Sequence, residues 1–208
     1  MFQNKSIADF VKELSSASPT PGGGGSSAVV AAFAAALGMM VTNLTIGKKK
    51  YAEHEEKVIE VKEKLSNLQI KLFTLAEEDE KAFLPLAQAY RLPSATEEEK
   101  ENKKRVMETA LYEASVVPLA IMEAVMETIE LLSVLKEKGT KIALSDVGVG
   151  ITFAFAAMEG ASLNVFINTK MMTDKEKGMD LNRRAEKLLE QAEACKKNIY
   201  CSIVDELR

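Results

Sequence analysis

The segment VIEVKEKLSNLQIKLFTLAEEDEKAFLPL, residues 58–86, decides the fold because its apolar residues recur every three or four positions. Apolar residues at that spacing lie on one face of a helix, so the segment predicts one long amphipathic helix. This stripe comprises Val58, Val61, Leu65, Leu68, Leu72, Leu75, Ala82 and Leu86. Asp79 stands four residues after Leu75 and three before Ala82, where the pattern predicts Leu or Ile.

Asp79 therefore places a carboxylate on the side of the helix that should face the core. Such a group costs several kcal/mol unless it is paired, hydrogen-bonded or protonated. The neighbouring Glu77, Glu78 and Glu80 fall off the stripe and are interpreted as solvated charges. Two interpretations of Asp79 stay open: a structural acid that caps a backbone or pairs with a lysine, or a catalytic acid or base.

The composition predicts an all-α fold. The chain has 208 residues, of which 47% are hydrophobic, so residues 1–208 fit a single domain with a sizeable core. Aromatic residues make up only 6%, and alternating strand-like runs are missing, which favours a bundle of about six helices, several of them long. The net charge of −4, without a basic stripe, argues against nucleic-acid binding. Two cysteines and no signal peptide predict the reducing cytoplasm.

A Pro-Gly-rich stretch precedes the most apolar part of the chain. Pro19 and Pro21 lead into four glycines and two serines, residues 22–27, and predict a loop that cannot be helical. Residues 28–46 are small and apolar over a length that also suits a membrane span. Their alanine content, with Thr42, Asn43 and Thr45 at the far end, favours a helix packed closely on several neighbours. The next lysines, Lys48 and Lys49, complement the dipole at the end of that helix.

The second half of the chain predicts three more helices. Pro85 and Pro93 should end the helix that carries Asp79, and Thr96 with Glu99 forms a capping box for a helix through Lys138, which Gly139 stops. Thr173 and Glu176 should begin the last helix. The helix between them begins near Ser145 and Asp146 and extends to about Asn168. Its small residues Gly150, Ala154, Ala157 and Ala161 share one face with Asp146, Asn164 and Asn168.

Three segments of the chain together resemble the cyclodeaminase domain of the formiminotransferase-cyclodeaminase family. They are Pro21–Ser26 before the Ala-rich helix, Glu78–Phe83 followed by Arg91–Pro93, and Ser145–Asp146 followed by Gly160–Ala161 and Asn164–Asn168. The resemblance implies an all-helical fold, a homodimer or a larger assembly, and a folate substrate. Its catalytic carboxylate falls on Asp79. The glycine run is one residue longer than the family's usual run, and no formiminotransferase domain is attached, so substrate should arrive by diffusion or from a separate formiminotransferase.

The resemblance implies formimidoyltetrahydrofolate cyclodeaminase activity. In that reaction N10 of 5-formiminotetrahydrofolate attacks the formimino carbon, ammonia leaves, and 5,10-methenyltetrahydrofolate forms without a metal or redox cofactor. Asp79 would move both protons. Asp146, at a helix N-terminus, should stay ionised and orient the substrate or contact the amino edge of the pterin. The predicted substrate-binding residues are Gly22, Gly23, Gly24, Gly25, Ser26, Lys48, Lys49, Ser145, Asn164 and Asn168, with the two lysines attracting the glutamate tail.

Two alternatives remain. Some relatives hydrolyse 5,10-methenyltetrahydrofolate to the 10-formyl compound, and in that case Asp79 would activate water. The other alternative is a helical scaffold or folate-binding protein without catalysis. Asp79 argues against it, because a purely structural descendant would gain stability by replacing an acid that faces the core.

Overall fold

The computed structural model describes residues 5–208, and within that range the chain forms six α-helices and no strand. The helices are α1 (Ile7–Leu14), α2 (Gly23–Thr45), α3 (Glu55–Ala89), α4 (Glu97–Lys138), α5 (Leu144–Met171) and α6 (Lys175–Leu207). Short 3-10 turns at Lys49–His54 and Lys141–Ala143 precede α3 and α5. The predicted all-α class is confirmed.

The amphipathic stripe of α3 is buried as the spacing predicts, but the helix is longer than expected. All its apolar members except Ala82 are buried, and Ala82 is partly buried. The prediction that Pro85 breaks the helix is wrong, since α3 continues to Ala89. Pro85 lies on the exposed side, so the Lys81 carbonyl that loses its donor faces water. Burial of Leu86 and Ala89 holds the last turn against the core.

The prediction that residues 22–27 form a loop is wrong, because α2 begins inside the glycine run. The hydroxyl of Ser26 donates to the Gly22 carbonyl at 2.7 Å, and that of Ser27 donates to the Gly23 carbonyl at 2.8 Å. Glycine is a poor helix former in isolation, but packing supplies most helical stability in a folded protein. Because the first turn of α2 lacks bulky side chains, α3 can approach it closely at Asp79.

The central helix of the bundle is α4, which runs beneath the seam between α2 and α5. A Cβ added to Gly38 of α2 would lie 3.1 Å from the Leu132 side chain of α4, and one added to Gly150 of α5 would lie 3.3 Å from it. Along the seam α2 and α5 are antiparallel, since Gly23 lies beside Asn164 and Gly160 beside Ser27. The small-residue face predicted for α5 is buried in this seam, and α3 and α6 flank the pair on either side.

The ends of α4 follow the sequence prediction, whereas the start of α6 does not. Thr96 and Glu99 form the predicted capping box, and Gly139 caps the C-terminus. The prediction that Thr173 and Glu176 begin α6 is wrong, because Asp174 is the N-cap and accepts from the Lys177 amide at 3.1 Å. The Thr173 hydroxyl is instead directed to the Glu108 carboxylate of α4 at 2.6 Å, a long-range contact that no local pattern encodes.

One side of the α2–α5 pair, opposite α4, is apolar and uncovered. Gly23–Thr45 and Lys141–Met171 are each apolar and long enough to cross a membrane, and half of the most apolar window in each is buried in the bundle. We name the remaining outer surface the α2–α5 face. Its exposed apolar side chains are Phe33, Met40, Leu44, Val149, Phe153 and Leu163, which are 39–66% exposed.

Candidate active site

The carboxylate of Asp79 lies directly against the first turn of α2. The Gly25 amide donates a hydrogen bond of 2.8 Å to Oδ2 of Asp79. A Cβ added to Gly24 would lie only 2.3 Å from Oδ1, so any larger residue there would displace the carboxylate. The glycine run therefore makes room for an acid, and the acid occupies the N-terminal end of a helix, where unpaired amides favour negative charge.

Burial sets the acidity of Asp79. Desolvation raises the pKa of its carboxyl group from the ordinary 3.8 to about 6, the negative charge of Glu80 also raises it, and the hydrogen bond from Gly25 lowers it. The desolvation effect dominates, so the group exchanges its proton close to neutral pH. A carboxyl group with that pKa can serve as both general base and general acid.

A cavity of about 340 Å³ opens beside Asp79. Its volume lies within the range of small-molecule sites. The walls come from the loop before α2, the first turn of α2, and the facing parts of α3, α4 and α5: Pro19, Thr20, Gly22, Gly23, Gly24, Asp79, Phe83, Tyr90, Ala114, Asn164, Ile167, Asn168 and Met171. Most of this lining is apolar, with one acid and two carboxamides facing the same space.

The two asparagines of α5 differ in what they already bind. Nδ2 of Asn164 donates to the Gly160 carbonyl of its own helix at 2.9 Å, and its carboxamide packs beside Gly23. Nδ2 of Asn168 donates to the Ala114 carbonyl of α4 at 2.8 Å. Asn168 is buried and joins two helices, whereas Asn164 is only partly buried. Asn164 is therefore the amide better placed to bind a ligand.

Four of the predicted site residues lie at the opposite end of the bundle. Ser145 and Asp146 begin α5, and Asp146 is separated from Asn164 by about 27 Å at the helical rise per residue. Lys48 and Lys49 follow α2, about 32 Å of helix away from Gly24. Within one chain these residues and Asp79 cannot contact the same small molecule. Gly25 and Ser26 also lie outside the cavity wall, and their amide and hydroxyl bind Asp79 and Gly22.

Four larger side chains of the cavity were not among the residues predicted from the sequence. Phe83 stands one turn after Asp79, and Ile167 one turn after Asn164, so helical spacing would have found both. Tyr90 and Met171 end their helices and meet across the cavity, where the Tyr90 hydroxyl donates to the Met171 sulfur at 3.1 Å. Only the tertiary fold brings that pair together.

A larger cavity, of about 640 Å³, lies between α3 and α4. Its charged lining residues, Glu78, Lys81, Arg105 and Glu113, are all exposed to solvent. No acid there is desolvated as Asp79 is, so the smaller cavity is the better candidate active site. Between residues 5 and 208, no three His, Cys, Asp or Glu side chains lie close enough together to hold a metal ion.

The fold and the site together define an all-helical protein with a small-molecule cavity, and this cavity contains one carboxyl group whose pKa is close to neutral pH. Comparison with known proteins gives the family. The family model described as formiminotransferase-cyclodeaminase matches residues 6–187, and the chain belongs to this family.

Relatives and a solved structure carry two different names. Methenyltetrahydrofolate cyclohydrolase of Methylorubrum extorquens is 40% identical over 200 residues, which cover 96% of each chain. Formimidoyltransferase-cyclodeaminase of Gallus gallus is 31% identical over 188 residues, 90% of this chain but only 35% of that protein. The crystal structure of formiminotetrahydrofolate cyclodeaminase from Thermotoga maritima superposes with a TM-score of 0.90 at 28% identity, over the whole of both chains.

Proposed function

We propose that the protein is a methenyltetrahydrofolate cyclohydrolase, which hydrolyses 5,10-methenyltetrahydrofolate to 10-formyltetrahydrofolate. The observation that supports this choice over its alternative is the 40% identity to the Methylorubrum extorquens cyclohydrolase over 96% of both chains. In the sequence analysis this activity was the alternative to the cyclodeaminase. The coarser expectation, a folate enzyme of this family, is confirmed by the family match.

The arrangement around Asp79 suits the hydrolysis. Ionised Asp79 takes a proton from water as its oxygen adds to the cationic methenyl carbon, which gives a neutral hydroxyl adduct. The bond between that carbon and N5 then breaks, N5 receives a proton from Asp79, and the hydroxyl proton is released to solvent. The products are 10-formyltetrahydrofolate and one proton, so water and the acid suffice without a metal or redox cofactor. A pKa of about 6 serves both transfers.

Formimidoyltetrahydrofolate cyclodeaminase activity is the second candidate function. Similarity to the formiminotetrahydrofolate cyclodeaminase of Thermotoga maritima favours it, because that chain matches this one from end to end. Asp79 would then accept the N10 proton and deliver a proton to the departing ammonia. We propose a separate formiminotransferase as the source of that substrate. The chain matches about a third of the length of the formimidoyltransferase-cyclodeaminase of Gallus gallus.

Two assays on the same preparation test the proposal. The first follows the loss of the methenyl absorbance against the uncatalysed rate, and the second measures ammonia released from 5-formiminotetrahydrofolate. We expect catalysed loss of methenyl absorbance, with ammonia release slower at equal substrate concentration. Ammonia release without catalysed hydrolysis would transfer the assignment to the cyclodeaminase. Neither reaction, with folate binding retained, would favour the non-catalytic alternative.

The assembly and the compartment belong to the same proposal. We expect a homodimer, because the uncovered α2–α5 face is apolar. We expect the cytoplasm as its location, because the two cysteines are free, as cysteines generally are in a reducing compartment. Sedimentation at micromolar concentration tests the dimer, and a species of monomer mass would contradict it.

A further inference from the structure

We propose that two copies of the chain pair in opposite directions through the α2–α5 face, and that Asp146, Lys48 and Lys49 of the partner subunit complete the active site around Asp79. The pairing itself is a property of the bundle. The role of the partner's residues rests on the folate function proposed above.

The α2–α5 face has the size and chemistry of an interface between copies. Between Gly22 and Gly47 the chain has no charged residue, and on the outer side of α5 only Thr152 and Glu159 interrupt the exposed apolar residues between Asp146 and Ile167. The face is about 35 Å long and about 20 Å wide, or ~700 Å². Stable interfaces bury roughly 600–1,000 Å² on each partner, so a second copy of the same face would suffice. An isolated monomer rarely exposes an apolar patch of this extent.

Two symmetric pairings place this face against its own copy. If the two-fold axis is parallel to the helices, the same ends of the two copies lie together. If the axis is perpendicular to the helices, the partner runs in the opposite direction, and each end lies beside the other end of the partner. With like ends together, Lys48 and Lys49 of both copies would lie near one another and repel. The reversed pairing separates these cations and places them, together with Asp146, near the end that carries Asp79 and Glu80. Two lysines and one aspartate bring a net charge of +1 to these acids. Charge therefore favours the reversed pairing.

The reversed pairing also accounts for the residues that one chain leaves apart. Asp146 and Phe153 are seven residues apart on α5, so they lie almost directly above one another on the outer surface. Asp146 is partly exposed, and within the described part of the chain no hydrogen bond or ion pair engages its carboxylate. Because it lies at the far end of the α2–α5 face, a reversed copy carries it to the end of the face where Gly23, an exposed residue of the cavity wall, lies.

The chemistry of the partner's end matches a folate. The pterin has an edge of N–H donors, for which an ionised carboxylate at a helix N-terminus is a suitable acceptor. The glutamate tail is anionic, and the partner subunit's Lys48 and Lys49 would lie beyond the mouth, beside Pro19 and Thr20 of the cavity wall. Asp146 thus becomes an orienting residue that acts in the other subunit's site.

Distance measurement tests the direction of pairing without any activity. A spin label is attached to Lys49→Cys in a chain whose Cys195 and Cys201 are replaced by Ser. In the reversed dimer the two labels lie about 45 Å apart, on either side of the dyad. With like ends together they lie less than about 25 Å apart, which would overturn the proposal. A monomer, with or without binding to phosphatidylcholine vesicles, would overturn it as well. Phe33→Glu should dissociate the dimer, and Lys187→Gln, on the exposed side of α6, is its charge-matched control.

Subunit complementation tests the shared site. Asp79→Asn and Asp146→Asn chains are co-expressed with different tags, and the mixed dimer is isolated through both tags. Each homodimer should be nearly inactive, while the mixed dimer has one site with both acids and should regain about half of the wild-type turnover. A mixed dimer as inactive as its parents would contradict the proposal, and so would full activity of the Asp146→Asn homodimer. If the wild type acts on neither folate, the proposed function fails, but the label distance still decides the pairing.

Discussion

The two ends of the α2–α5 pair differ in how their polar groups are satisfied. At one end Asp79 is desolvated and tied to the first turn of α2 by the Gly25 amide. At the other end Asp146 is partly exposed and has no partner within the described residues. The first end holds a desolvated carboxyl group with a raised pKa, and the second holds a carboxylate that is open to solvent within one chain. This difference is the basis of our proposal that the second end acts in the site of a partner subunit.

Among substitutions that keep the Asp79 carboxylate, the largest effect on this contrast is expected from Gly24→Ala. The new Cβ would lie 2.3 Å from the Asp79 carboxylate, so the acid must leave its hydrogen bond to Gly25. We expect turnover to fall at least about thirtyfold, a large part of the hundredfold or more that acid–base catalysis supplies. Gly25→Ala is the matched control, since its Cβ would make ordinary contacts at 3.5 and 3.8 Å. Equal losses in the two variants, measured by steady-state kinetics, would show that the close approach is unimportant.

Substitutions at the end that carries Lys48 and Lys49 should change KM and leave turnover nearly unchanged. Charge reversal at Lys48 and Lys49 should raise KM about fivefold or more, and more strongly for polyglutamylated than for monoglutamylated folate, because only the tail is affected. Lys187→Glu with Lys197→Glu, on the exposed side of α6, controls for the change in net charge. If KM rises equally for both substrates, the lysines do not bind the tail and only complement the dipole of α2.

Asp79 should also affect stability, because its ionised form is unfavourable in the folded protein. The pKa of Asp79 is raised from 3.8 to about 6, so the folded protein holds the proton more tightly than the unfolded chain does. The free energy of unfolding therefore falls as the pH rises from about 4 to about 6, by up to about 3 kcal/mol. Asp79→Asn should thus raise Tm by about 5 °C at pH 8 and change it little at pH 4. Glu78→Gln, at the exposed neighbour, is the control. A destabilised Asp79→Asn protein at pH 8 would mean that the ionised acid is structural.

The smallest effects are expected at the two carboxamides. Asn168→Ala leaves the buried Ala114 carbonyl without its donor and should cost about 1 kcal/mol in chemical denaturation. Asn164→Ala removes a bond within one helix, so we expect it to raise KM several-fold with little change in stability. If Asn164→Ala lowers stability and Asn168→Ala mainly raises KM, then Asn164 is the structural residue and Asn168 binds the ligand.

The sequence predicted the helices and the unusual acid because both depend on local spacing. The α3 stripe, the capping box at Thr96 and the stop at Gly139 are short-range signals, and the structure confirms them. Asp79 was conspicuous because it interrupted a regular pattern. The same local rules failed for the glycine run, whose helical conformation is accompanied by contact with Asp79, 54 residues along the chain.

The grouping of the site residues was less accessible to sequence reasoning. Asp146, Asn164 and Asn168 do share a face of α5, but helical periodicity gives the angle around an axis and not which end of the helix meets the cavity. The antiparallel packing of α2 and α5 fixes that end, and it depends on long-range contacts such as Gly23 with Asn164. Tyr90 and Met171 were not predicted as site residues for the same reason, because only the tertiary fold brings them together.

The turnover of Asp79→Asn, measured with folate binding and a thermal melt on one preparation, tests the central claim most directly. The substitution keeps the size of the side chain and an oxygen for the Gly25 amide, but it removes the exchangeable proton. The account predicts a folded protein that binds folate and turns over at least about a hundredfold more slowly than the wild type. A stable, folate-binding variant with near-normal turnover would contradict it.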